Sequence, residues 1–100
     1  MSVLLLGMGA DMHTASIFPG SPNLDSALAD DAAPLMAVEA SGDLESRLTL
    51  TAPALKTARH THILIKGDDK RTALATAQTA TPKEAPVALV LPRATVHWAP

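Results

Sequence analysis

The run Ser2–Leu6 is apolar after its serine and stops at Gly7, and this constrains the fold more than any other stretch. A short unbroken apolar run closed by glycine reads as a buried strand of a parallel sheet. Parallel neighbours need long crossovers, so helices must separate the strands. The pattern supplies them. Pro22–Asp31 carries Leu24, Ala27 and Leu28 at helical spacing, and Pro34 breaks it. Leu35–Ala40 reads as a strand, Ser41–Ser46 as a polar turn, and Arg47–Thr51 alternates as a strand does. Thr51 is placed to cap a helix that accepts Pro53 in its first turn and runs to about Arg59. Thr61–Lys66 is apolar and β-branched, a strand. Gly67-Asp68-Asp69 turns into a helix from Lys70 to about Thr79, with Ala73, Leu74 and Ala77 on one face. Val87–Leu91 is apolar between prolines, and Thr95–Trp98 is a last short strand. Strands alternating with helices imply an α/β domain whose parallel sheet is covered on both faces. Ligands of such sheets sit beyond the carboxyl ends of the strands. The loops after Gly7 and Gly67 lie there.

One hundred residues make one small domain or part of a larger one. The core must come from Ala, Leu and Val, since Phe18 and Trp98 are the only large aromatics. A net charge of −2 gives no reason to expect nucleic acid or an anionic membrane. The absence of cysteine rules out disulfides and thiolate zinc sites and fits a reducing cytosol. The opening MSVLLLGMGADM has no basic segment and too short an apolar run for a signal peptide, and nothing approaches a membrane span. The expected location is cytoplasmic.

The loop LGMGADMHTASIFPG, residues 6–20, concentrates the chemistry. Gly7-Met8-Gly9 could open a dinucleotide fingerprint, but Met12 stands where its third glycine belongs. The glycines either turn the chain off the strand or bring backbone N–H groups to an oxyanion. Asp11 and His13 are two apart. Histidine exchanges protons near neutrality, and a neighbouring carboxylate can orient it and stabilise its charged form. Against that stands a solvated loop histidine with an incidental acid nearby. Thr14 and Ser16 lack a nucleophile elbow and read as hydroxyls capping loop amides. His60-Thr61-His62 puts two imidazoles on one strand face, without a visible third metal ligand. Asp30-Asp31 reads as a solvated helix end.

Taken together, LGMGADMHTASIFPG resembles the signature loop of the 6-phosphogluconolactonases, RLTLTAPALKTARH their second block, ILIKGDDKRTAL their third and VHWAP their last strand. The likeness runs from about Leu4 to Ala99. Ala10 replaces a common acid, Met12 a common glycine, and SGDLESR lacks the prolines often found before the second block. The resemblance implies a three-layer, Rossmann-like α/β fold shared with glucosamine-6-phosphate deaminases and ribose-5-phosphate isomerases. Family chains are more than twice this long, so residues 1–100 correspond to an incomplete, C-terminal half of the domain. The implied activity is hydrolysis of 6-phospho-D-glucono-1,5-lactone to 6-phosphogluconate in the pentose phosphate pathway, without metal or cofactor.

In that scheme His13 is the general base, Asp11 places His13 or the substrate, and Arg47 and Lys70 contact the phosphate or a nearby oxygen. The chemistry agrees, since a lactone needs a water, a base and donors for the oxyanion, which amides of the Gly7–Gly9 loop could supply. Two other readings stand beside it: a sugar-phosphate deaminase or isomerase, and a non-catalytic fragment. Half a sheet also leaves apolar surface uncovered. Self-association, or pairing with a missing N-terminal half, is therefore expected.

Overall fold

The computed structural model describes residues 2–39 and 46–100. Its centre is a three-stranded parallel sheet ordered β1-β4-β5, from β1 (Val3–Leu6), β4 (His60–Lys66) and β5 (Ala94–Ala99). The expected strands at both ends and at 61–66 are all present. β2 (Leu35–Glu39) and β3 (Ser46–Leu50) do not join them, but pair antiparallel in a separate ribbon. Alternation along Arg47–Thr51 identifies a strand without naming its partner. Ala40 and the turn expected over 41–45 lie outside the described residues.

Helix ends depart from expectation for electrostatic and hydrogen-bonding reasons. α1 spans only Leu24–Leu28, and Ala29 is already extended. Asp30 and Asp31 would place two negative charges at the negative end of the helix dipole. α2 is a single turn, Ala52–Leu55, with Pro53 in it as expected. Thr51 occupies the N-cap position, but its hydroxyl donates to the Ala33 carbonyl at 2.7 Å rather than capping. α3 spans Asp68–Ala77, two residues earlier than expected. Asp68 and Asp69 enter its first turn, where the dipole favours acids. The proline-bounded segment forms short 3₁₀ turns at Pro86–Leu89 and Leu91–Arg93.

One buried cluster unites these elements. Leu4 and Leu6 of β1 and Ile63 and Ile65 of β4 pack against Leu24 and Ala27 of α1, Leu55 of α2, Ala77 of α3, and Val87 and Val90. All use the same sheet face. On the other, Val3, Leu5 and Leu64 are 59%, 61% and 51% exposed. The chain therefore carries the parallel core sheet of a three-layer α/β fold with helices on one side, not both. The order β1-β4-β5 explains this. Both crossovers advance in one direction across the sheet, and right-handed crossovers of that kind stack on one face. No helix is long and apolar enough to cross a membrane among the described residues.

Beyond β1 the chain makes a tight turn in which the Met12 N–H donates to the Gly9 carbonyl at 2.9 Å and the Gly9 N–H to the His13 carbonyl at 3.0 Å. Met12 adopts φ +70° and Ala15 φ +51°. The left-handed region is costly for a residue with a Cβ and worst for a β-branched one. Met12 thus keeps a backbone shape that glycine adopts freely, and its own carbonyl accepts from the Val87 N–H at 3.1 Å. Met12→Val should unfold about 1–2 kcal/mol more easily than Met12→Gly. Urea titration of the two variants checks this, and equal midpoints would remove the backbone argument.

Candidate active site

The β1 and β4 strands run parallel, so their carboxyl ends release the Gly7 and Gly67 loops at one edge. The loops are tied together by Lys70. It lies in the first turn of α3, and its Nζ donates to the Met8 carbonyl at 2.5 Å. Between them opens a cleft of about 340 Å³ lined by Leu5, Leu6, Gly7, Met8, Gly9, His13, Ala15 and Lys70. Four of the six expected site residues, Gly7, Gly9, His13 and Lys70, thus share one wall. Asp11 joins through His13. Arg47 does not line the cleft; its guanidinium carbon sits 5.4 Å from the centre of the Phe18 ring.

His13 is held from several sides. Its Nδ1 lies 2.6 Å from Asp11 Oδ1, and the same oxygen accepts the His13 backbone N–H at 3.1 Å. An ionised carboxylate can only accept, so Nδ1 carries the proton and Nε2 keeps the basic lone pair. The Phe18 ring stacks on the imidazole with centroids 4.3 Å apart and planes at 28°. Against the ring edge lies Gly9. A Cβ there would stand 2.1 Å from His13 Nδ1 and 2.7 Å from Asp11 Oδ1. Glycine is required at this point for space. By contrast, a Cβ on Gly7 would meet nothing within 4 Å.

Two expectations about backbone and hydroxyl groups change. The Gly9 amide is committed to the His13 carbonyl, so it is not an oxyanion donor in this conformation. Thr14, fully buried, does not cap an amide; its hydroxyl donates to the Gly7 carbonyl at 2.9 Å and closes the loop. The amide of Ser16 is taken by Thr49 Oγ1 of β3, at 3.0 Å. Phe18, which reads in sequence as part of a Phe-Pro-Gly stop, proves to be the wall behind the histidine. The signal that could have marked it is scarcity, since it is one of two large aromatics in the chain.

The two-histidine strand face leads elsewhere. His62 Nδ1 faces His97 Nε2 of β5 at 3.0 Å on the exposed side of the sheet. No group of three or more metal-ligating side chains occurs among the described residues.

Asp11 shows how the pair holds together. Partial burial pushes its carboxyl up, but the hydrogen bonds from the His13 ring and amide and the imidazolium charge outweigh burial and hold it below the ordinary aspartate range. A depressed carboxyl contributes stability above its unfolded value, near pH 3.9, and loses it as pH falls through the folded value. The Asp11–His13 contact should therefore persist at mildly acidic pH and weaken as the pH falls below the ordinary aspartate range. Carboxyl ¹³C titration checks this. The Asp11 midpoint should lie below that of an unfolded peptide and rise in His13→Ala; an unchanged midpoint would mean that the contact is not formed in solution.

Residues 1–98 match the family model described as glucosamine-6-phosphate isomerases/6-phosphogluconolactonase. The 6-phosphogluconolactonase of Rhizobium meliloti is 39% identical, the match covering all of this chain and 46% of the relative. That of Mesorhizobium japonicum is 40% identical over all of this chain and 44% of its own length. The crystal structure of a 6-phosphogluconolactonase from Shewanella baltica superposes with a TM-score of 0.92 at 28% identity, covering 100% of this chain and 45% of the other. The chain spans slightly under half the length of these relatives and is a partial domain. It belongs to the glucosamine-6-phosphate isomerase/6-phosphogluconolactonase family.

Proposed function

We propose that this chain supplies the catalytic loop for hydrolysis of 6-phospho-D-glucono-1,5-lactone, as the C-terminal half of a lactonase domain. The observation that carries the reading is the Asp11–His13 pair on a cleft that also holds Lys70. Asp11 fixes the Nδ1–H tautomer, leaving Nε2 to take a proton from water. The hydroxide so formed attacks the lactone carbonyl carbon and gives a tetrahedral oxyanion. Collapse breaks the bond between that carbon and the ring oxygen. The leaving oxygen takes the proton back from Nε2 and becomes a hydroxyl, and the carboxylic acid formed at the carbonyl carbon releases its own proton to solvent, giving the carboxylate of 6-phosphogluconate. Lys70 is the fixed cation on the same wall and meets the phosphate or an adjacent oxygen. Arg47, one ring farther out over Phe18, takes the outer end of the anion.

A deaminase or isomerase reading requires a separate acid to move a proton between carbons. No carboxylate lines the cleft among the described residues, and Asp11 is engaged by His13. The 6-phosphogluconolactonase relatives support hydrolysis. The test is the lactone-dependent rate above buffer for wild type and His13→Ala. Loss of the base should lower it about 10²–10⁴-fold. Lys70→Ala should weaken binding of 6-phosphogluconate in calorimetry. A His13-independent rate would defeat the assignment.

The uncovered sheet face has its own consequence. Val3, Leu5 and Leu64 stand beside His60, His62 and His97 on the exposed face of the sheet, and we propose that a second copy of the chain, or the missing half of the domain, covers them. The weight-average mass in sedimentation should rise with concentration above that of the 10.4 kDa monomer. Leu5→Lys combined with Leu64→Lys should return it to monomer. A wild-type chain that stays monomeric across the range would show that the face needs no such cover.

A further inference from the structure

His13 touches more than the acid that fixes its tautomer. One face of its imidazole lies on Phe18, and its edge fills the space that a Cβ on Gly9 would take. A single hydrogen bond from Nδ1 leaves a ring free to rock about that bond and to tip Nε2 away from a bound water. A flat wall removes that freedom. The wall itself is well anchored. Ile17, the residue before Phe18, is 1% exposed, its N–H donates to the Thr14 carbonyl at 3.0 Å, and Pro19 follows. The β2–β3 ribbon braces the same segment twice, through Thr49 to the Ser16 amide and through the Arg47 guanidinium over the Phe18 ring.

We propose that Phe18 is a positioning residue for His13, holding the imidazole in the plane that keeps Nδ1 on Asp11 and Nε2 available to the cleft. The ring does a second service when the base acts. Taking a proton turns His13 into a cation, and an aromatic face attracts a cation more than an aliphatic one does. Phe18 therefore favours the protonated intermediate as well as the geometry that leads to it. A leucine keeps the bulk and loses both effects; a tyrosine keeps both.

This proposal rests on the lactonase reading for its kinetic arm alone. The structural arm is the His13 ring in ¹⁵N–¹³C correlation spectra of wild type, Phe18→Leu and Phe18→Tyr, with backbone spectra confirming that each is folded. Wild type and Phe18→Tyr should show the Nδ1–H tautomer only, and Phe18→Leu a mixture of both. In lactone hydrolysis, Phe18→Leu should lose about 10–100-fold in kcat with KM within about 2-fold, and Phe18→Tyr should restore the rate. A single Nδ1–H tautomer in Phe18→Leu overturns the proposal, as does a fall in its rate that appears only in KM. If no variant, wild type included, shows a His13-dependent rate, the lactonase reading fails while the ring spectra still decide the role of Phe18. Should Phe18→Leu not fold, Phe18→Met serves in its place with the same two readouts.

Discussion

The pairing of β4 with β1 on one side and β5 on the other governs the rest of the molecule. Parallel strands send all their carboxyl ends to one edge, so the loops leaving β1 and β4 must emerge side by side although more than fifty residues separate them. The Lys70 ammonium on the Met8 carbonyl joins those two exits. Had the strands been antiparallel, His13 and Lys70 would lie at opposite ends of the sheet. Ile63, fully buried at the centre of β4, belongs to the cluster that packs both crossovers against the sheet.

The same pairing explains what the chain leaves open. Moving from β1 to β4 to β5 never reverses direction across the sheet, so handed crossovers deliver every helix to one face. Within a single sheet, helices reach the second face only through crossovers that run the other way from β1. The chain matches slightly under half of its relatives' length, at 46% and 44% of the two rhizobial enzymes. The half-covered sheet is thus a property of topology, and its exposed leucines are not a defect of the local sequence.

Much of this was legible in advance. β1 and β4 declare themselves because each carries a short apolar stretch ended at a glycine, and α3 because Ala73, Leu74 and Ala77 recur on one face. Boundaries moved where a charge met a helix dipole, at Asp30 and at Asp68. Pairing was illegible for β2 and β3, since alternation specifies which side chains face inward but not which strand lies alongside. At the site, the Asp11–His13 spacing brings the two side chains into contact. The surroundings of the pair could not be read so directly. Arg47 reaches the site region through Phe18, and no feature of RLTLT specifies an aromatic partner thirty residues upstream.

The loop glycines illustrate why. A sequence marks glycine without marking its reason, and here the reasons divide. At Gly9 the demand is for space: a methyl group would stand 2.1 Å from the imidazole Nδ1 and 2.7 Å from the Asp11 carboxylate that holds it. At position 12 the demand is for a dihedral angle, φ +70°, which a side chain can meet at a finite cost. Methionine meets it here, and its unbranched, pliable chain packs against the core while the backbone holds the turn. A signature loop can therefore exchange a glycine at one place and not at another three residues away. What decides is whether the missing Cβ makes room for a neighbour or only for the backbone itself.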